Sequence, residues 1–168
     1  IAFAFLSYTE STNGIPTPDD APAHVIYTSQ EEVIQSQIQR ANELADVVVA
    51  GMHWGVENSH DVTASQELLA QKLADWGADV IIGTHPHVVQ AIDMLTAADG
   101  RQVPVAYSLG NFVPAQQYAD QMISVVMTFD VTKTTQVDGS SEISETNVQA
   151  VPSVTHYDAT YANIRQYL

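Results

Sequence analysis

The sequence predicts an α/β protein with a mainly parallel sheet, crossover helices and a C-terminal antiparallel hairpin. The first observation is that short apolar runs alternate with amphipathic helical segments along the first part of the chain. The second is that these runs are apolar on both faces, which is typical of parallel strands covered on both sides. The third is that two later strand-like segments are joined by a turn sequence.

Four apolar runs predict the strands of this sheet, and two amphipathic segments between them predict the helices. The predicted strands are Ile1–Tyr8, Asp46–Met52, Asp79–Ile82 and Val103–Leu109. The first helix is predicted to begin at a capping box, Ser29-Gln30-Glu31-Glu32, and to continue to Ala45. The second is predicted over Thr63–Trp76, with Leu68, Leu69, Leu73 and Trp76 on one face and Gly77 as its C-terminal cap.

The C-terminal part of the chain changes to antiparallel strand signals. Met122–Val131 and Glu142–Val151 predict two strands joined by a turn at Val137–Ser140. The tail, Tyr157–Leu168, is predicted to form a short helix. Because the chain starts at Ile1 and not at Met, we expect residues 1–168 to be a single, partial domain of a longer protein.

The charge of the chain restricts its partners. It carries 20 acidic residues against 5 basic ones, a net charge of -15, and the basic residues are scattered along the sequence. Nucleic-acid binding needs clustered positive charge and is therefore excluded. Another polyanion would bind only through a mediating cation. The chain has no cysteine, which excludes disulfides and cysteine-based metal or nucleophile chemistry.

Three histidines follow two of the predicted strands. His53 ends the run "ADVVVAGMH", and His85 and His87 follow "ADVIIGT". Ligands of parallel sheets bind beyond the carboxyl ends of the strands, so these histidines are expected at one rim, where converging imidazoles suit a transition metal. The alternative for a single histidine such as His53 is a hydrogen-bonded structural role. Asn111 also follows a strand, and either a turn role or an amide contact with a ligand is compatible with its position.

Other polar residues near this rim have weaker support for a role in the metal site. His60 and Asp61 could orient an imidazole, although a solvated loop is the default for both. Dinuclear hydrolytic sites also need bridging carboxylates. Asp46 and Asp79 lie at the amino-terminal ends of their strands, so the missing carboxylates are expected before Ile1.

Four ordered segments resemble one known family: Ser7–Pro18, Gly51–Glu57 (GMHWGVE), Leu69–Gln90 (with GADVIIGTHPH) and Val105–Val113 (VAYSLGNFV). The family is that of the bacterial capsule-synthesis proteins of the CapA type, involved in poly-gamma-glutamate encapsulation. Its domain belongs to the calcineurin-like metallophosphoesterase superfamily. The resemblance therefore implies part of an α/β/β/α sandwich, with this chain as the C-terminal half of the domain.

The resemblance also implies roles for single residues. His53 and His85 would bind one metal ion and His87 its neighbour, whereas Glu57 and Asn111 would shape the site or contact substrate. The expected cofactors are divalent ions, Mn, Fe or Zn. The half-site would then belong to a metal-dependent phosphoesterase acting on a phosphate-containing small molecule or an anionic polymer. The alternative is a non-enzymatic surface factor that binds or assembles a capsule polymer and retains a vestigial metal site.

The same resemblance carries expectations about location and partners. The protein is expected outside the cytoplasm or at the cell surface, in a longer, membrane-anchored protein that works with other capsule-synthesis proteins. The apolar strand Ile1–Tyr8 is expected to be covered by the missing N-terminal half or by self-association, because exposed strand edges and apolar faces promote association.

Overall fold

The computed structural model describes residues 1–18, 20–114, 116 and 118–156. A five-stranded sheet lies at its centre, in the order β1-β2-β3-β5-β4. Its strands are β1 (Phe3–Thr9), β2 (Val47–His53), β3 (Val80–Thr84), β4 (Ile92–Thr96) and β5 (Gln102–Ala106). All neighbouring strands are parallel except β4, which pairs antiparallel with β5. The predicted mainly parallel α/β sheet is confirmed.

Strand β4 was not predicted from the sequence. It is an edge strand in which only Ile92 and Leu95 are half-buried and the other residues are exposed. Its sequence, IDMLT, does not alternate regularly between apolar and polar residues. It forms a hairpin with β5 through a turn, in which the amide of Ala97 donates to the carbonyl of Arg101 (2.9 Å). The residues of β4 carry too little periodic signal to predict a strand.

Two helices connect the parallel strands, α1 (Glu31–Asn42) and α2 (Ala64–Trp76), and both pack on the same face of the sheet. The predicted capping box at Ser29 is wrong: Gln30 is the N-cap of α1, and its side chain makes no capping bond. A capping box forms instead at α2, between Thr63 and Gln66. Gly77 ends α2 with a φ of 112°, as predicted for a C-terminal glycine cap.

The buried face of α2 differs from the predicted one. Its buried residues are Gln66, Ala70, Leu73 and Ala74, whereas Leu68 is 66% exposed. Small alanines allow the helix to approach the sheet closely, and Gln66 is satisfied by donating its side-chain amide to Gln90 (2.9 Å). The prediction chose the helix face with the most apolar residues. In the structure, the face with smaller side chains packs against the sheet, because close packing limits the space between helix and sheet.

A long antiparallel hairpin, β6 (Ile123–Thr135) and β7 (Ser141–Val154), confirms the predicted C-terminal hairpin with longer strands. It follows a short 3-10 helix, Ala119–Met122. Apolar side chains of the hairpin pack on the sheet face opposite the helices: Met127, Phe129, Val131 and Ile143 contact Val47, Val49 and Val80. Helices, sheet and hairpin therefore form three layers. The helix predicted for residues 157–168 lies outside the described residues.

The hairpin leaves part of its sheet face uncovered. β1 is at the edge of the sheet, and Phe3 and Phe5 on it are 43% and 75% exposed. Beside Phe5 an open cavity of about 290 Å³ is lined by residues of β1, β2 and β3, among them Val49 and Ile82. None of the helices in the described part of the chain is long and apolar enough to span a bilayer.

Candidate functional site

The carboxyl ends of β2 and β3 bring the predicted histidines together. His53 is the last residue of β2 and pairs in register with Thr84, the last residue of β3, so His85 follows one residue beyond it. The ring centroids of His53 and His85 are 4.4 Å apart, and those of His85 and His87 are 6.3 Å apart. All three histidines therefore lie at one rim of the sheet.

The loop that carries two of these histidines has an unusual backbone. His85 has a φ of 100° and His87 a φ of 62°, a left-handed region that L residues rarely adopt. Pro86 lies between them, and its carbonyl accepts a hydrogen bond from the amide of Asn58 (2.8 Å). Residues held in such conformations cluster at functional sites, where the surrounding structure enforces them. The sequence gives no direct signal for this strain.

His53 lies in a partly buried environment that keeps its ring neutral. Burial is the main cause that lowers its pKa, and the charges that His85 and His87 carry when protonated lower it further. The Ser11 carbonyl and the Glu10 carboxylate oppose this effect without reversing it. The lowered pKa of His53 favours the uncharged ring, the form in which an imidazole binds a metal ion.

The side chain of Asn111 contacts the ring of His87. The ring Nδ1 of His87 lies 2.8 Å from Asn111 Oδ1, while Asn111 Nδ2 donates to the carbonyls of His87 (3.1 Å) and Gln121 (3.2 Å). The left-handed turn is made by the neighbouring Gly110, with a φ of 73°. The Asn111 amide therefore contacts an imidazole, the left-handed conformation is that of Gly110, and a contact between Asn111 and a ligand stays a prediction.

The remaining candidates contribute less to this cluster. Glu57 is exposed in the loop that follows β2. His60 binds the backbone carbonyl of Val89 through Nδ1 (2.8 Å) and so does not orient another ring. Sequence reasoning missed Thr9, whose hydroxyl contacts His53, and Glu10, which accepts a hydrogen bond from the amide of Gly55. Thr9 is the last residue of β1 and Glu10 follows it, whereas the prediction ended this strand at Tyr8.

Carboxylates do not complete the cluster in the described part of the chain. Asp46 and Asp79 lie at the opposite end of the sheet, as their sequence positions indicate, where they pair with Lys133 (2.6 Å) and Arg101 (2.9 Å). Among residues 1–18, 20–114, 116 and 118–156, no three His, Asp or Glu side chains are placed to hold one ion. Adjacent imidazoles are the ligand type of a transition-metal site, and the three-ligand set stays a prediction.

These features define a class: an α/β protein with a histidine cluster on a strained loop at the carboxyl rim of a parallel sheet. Comparison with known proteins gives the family. The chain belongs to the bacterial capsule synthesis protein family PGA_cap, whose profile matches residues 1–116. This match covers both helices, the sheet and the histidine rim.

Two curated relatives carry names consistent with this family. The chain is 31% identical over 134 residues to the PGA biosynthesis protein CapA of Bacillus subtilis (strain 168), which covers 79% of this chain and 33% of the relative. It is 42% identical over 86 residues to the capsule biosynthesis protein CapA of Bacillus anthracis, covering 49% of this chain and 20% of the relative. The chain thus spans a third or less of the length of either protein.

Proposed function

We propose that this chain supplies the imidazole ligands of a divalent-metal site in a protein that acts on poly-gamma-glutamate or a phosphate-containing compound during capsule synthesis. The observation that carries the proposal is the contact between His53 and His85, whose ring centroids are 4.4 Å apart at the carboxyl rim. Imidazoles suit Zn, Mn and Fe, and the strained loop holds His85 against His53.

Net charge supports the involvement of a cation. At -15 the chain repels a polyanion, and in the described part of the chain Arg101 and Lys133 form ion pairs with Asp79 and Asp46 at the opposite end of the sheet. A bound divalent ion would supply local positive charge and would activate water for hydrolysis. Within this chain, the residues that would hold it are His53, His85 and His87, and further ligands would come from the remainder of the whole protein.

Metal binding tests the proposal directly. Titration calorimetry with Zn²⁺ and Mn²⁺ should show binding to the 168-residue chain, and His85→Ala should lose it. His24→Ala is the matched control, because His24 is an exposed histidine that is not one of the three rings in contact. Equal binding by both variants, or none by the chain and by the longer protein, would refute the metal site.

Hydrolysis separates the enzyme from a binding module. Phosphodiester and phosphomonoester turnover with Mn²⁺ should occur in the longer protein and be lost in its His85→Ala variant, because a dinuclear mechanism needs more ligands than this chain provides. Metal binding without turnover in the longer protein would favour a non-enzymatic factor that binds the capsule polymer through the cation.

The location and partners belong to the same proposal. We place the whole protein at the cell surface, because a capsule polymer is assembled there, and expect it to act with other capsule-synthesis proteins. The uncovered face around Phe3 and Phe5 is proposed to be covered by other residues of the whole protein or by a second copy. Fractionation that finds the full-length protein only in the cytosol would refute this location.

A further inference from the structure

We propose that Thr9 is a positioning residue for His53: its hydroxyl fixes the hydrogen of the neutral ring on Nδ1 and leaves Nε2 free as a ligand. That Nε2 then binds a metal ion rests on the function proposed above. The tautomer itself is a property of the metal-free chain and does not depend on that function.

The backbone holds Thr9 firmly beside His53. Thr9 is the last residue of β1 and pairs in register with His53 at the end of β2. Its amide donates to the carbonyl of Ile26 (3.1 Å), and its carbonyl accepts from the amide of Thr28 (2.9 Å). The residue is only 8% exposed. With both backbone groups bonded, the side chain has a fixed origin from which to reach the ring.

The direction of the hydrogen bond follows from a count of hydrogens. The Thr9 hydroxyl lies 2.5 Å from the carbonyl oxygen of Ser11 and 2.8 Å from His53 Nδ1. A carbonyl only accepts, so the single hydroxyl hydrogen of Thr9 goes to Ser11. The hydroxyl oxygen must then accept from Nδ1–H of His53. A neutral imidazole carries one hydrogen, which leaves Nε2 as the unprotonated nitrogen.

The same arrangement recurs at the second histidine of the rim. Asn111 Nδ2 is committed to two backbone carbonyls, so its Oδ1 faces His87 Nδ1 and accepts the ring hydrogen. Both rings therefore expose the same nitrogen, although one partner is a hydroxyl from β1 and the other an amide beyond β5. Partners that fix the tautomer of a ligating histidine change metal affinity by about 10–100-fold when removed.

Nitrogen-15 NMR of the metal-free chain at pH 8 tests the inference, because chemical shifts distinguish protonated from unprotonated ring nitrogens. Wild type should show His53 protonated at Nδ1. Thr9→Val keeps the shape and removes the acceptor, so His53 should shift towards the Nε2–H tautomer. Thr9→Ser retains the hydroxyl and should restore the wild-type spectrum. Thr84→Val is the control, because the Thr84 hydroxyl donates to the carbonyl of Met52.

A wild-type His53 protonated at Nε2 would overturn the inference, and this measurement needs no variant. An unchanged tautomer in a folded Thr9→Val would also overturn it. Zn²⁺ affinity is the second readout, with an expected loss of about 10–100-fold in Thr9→Val and recovery in Thr9→Ser. If the tautomers behave as expected but wild type binds no metal, the positioning role stands and the proposed metal site fails.

Discussion

Replacement of His85 by glycine is expected to give a more stable protein than replacement by alanine. His85 has a φ of 100°, well inside the region that favours glycine. Both replacements remove the imidazole, so the ring contacts with His53 and His87 are lost equally. The two variants then differ in whether residue 85 carries a Cβ atom that is strained by this backbone conformation.

The magnitude follows from two opposing effects. A residue with a Cβ held in a sparsely populated backbone region costs about 1–3 kcal/mol. Glycine avoids this cost but loses more conformational freedom on folding, which costs roughly 0.5–1 kcal/mol relative to alanine. The difference favours His85→Gly by about 1 kcal/mol. For a protein of this size, that corresponds to roughly 2–4 °C in the melting temperature.

Thermal unfolding followed by circular dichroism, with a chelator present, measures this difference, and urea unfolding gives the free energy independently. The control is Thr84, which ends β3 in an ordinary strand conformation. Thr84→Ala should be more stable than Thr84→Gly by roughly 0.5–1 kcal/mol, which is the opposite order to that expected at His85. The strain argument is refuted if His85→Ala is at least as stable as His85→Gly while Thr84→Ala is more stable than Thr84→Gly.

Three further predictions concern the core of the sheet, a partly buried carboxyl group and the uncovered face. Gly83→Ala should lower the free energy of unfolding by about 3 kcal/mol in urea titrations, because its Cβ would lie 1.9 Å from the carbonyl oxygen of Tyr107. Glu145→Gln should become increasingly more stable than wild type as the pH rises above about 4.3 in melting experiments. Burial, then the charge of Asp79, raises the pKa of Glu145, so the folded state holds its proton longer than the unfolded state does. Phe5→Ser should reduce self-association in sedimentation measurements, because this 75% exposed ring lies on the uncovered face.

Each of these predictions has a matched control. Gly51→Ala should be tolerated better than Gly83→Ala, because its Cβ would lie 3.2 Å from the flexible hydroxyl of Ser7. Glu142→Gln changes an exposed carboxylate of the same strand and is the control for Glu145→Gln. Leu44→Ser removes a 65% exposed apolar side chain away from the uncovered face and should leave association unchanged. If a control variant changes the measured quantity as much as its test variant does, the corresponding prediction is contradicted.

The periodicity of the sequence was sufficient to predict the buried strands, but not the exposed edge strand or the start of the first helix. β2 and β3 are continuous apolar runs that are buried on both faces, so any correct fold must place them in the sheet interior. β4 is short, none of its residues is fully buried, and its apolar residues do not alternate regularly with polar ones, so only its pairing with β5 defines it. The start of α1 was misassigned because Ser29 matched a capping pattern, whereas the structure begins the helix after Gln30.

The sequence by itself determined that His53, His85 and His87 would share a rim, because parallel strands end at the same edge of a sheet. Only the tertiary structure decided which atoms hold the rings. Thr9 and His53 are 44 positions apart and His87 and Asn111 are 24 apart, so no local pattern relates them. Side-chain hydrogen bonds depend on distances of a fraction of an ångström, which the packing of whole layers sets. Sequence periodicity determines only which face of an element is buried.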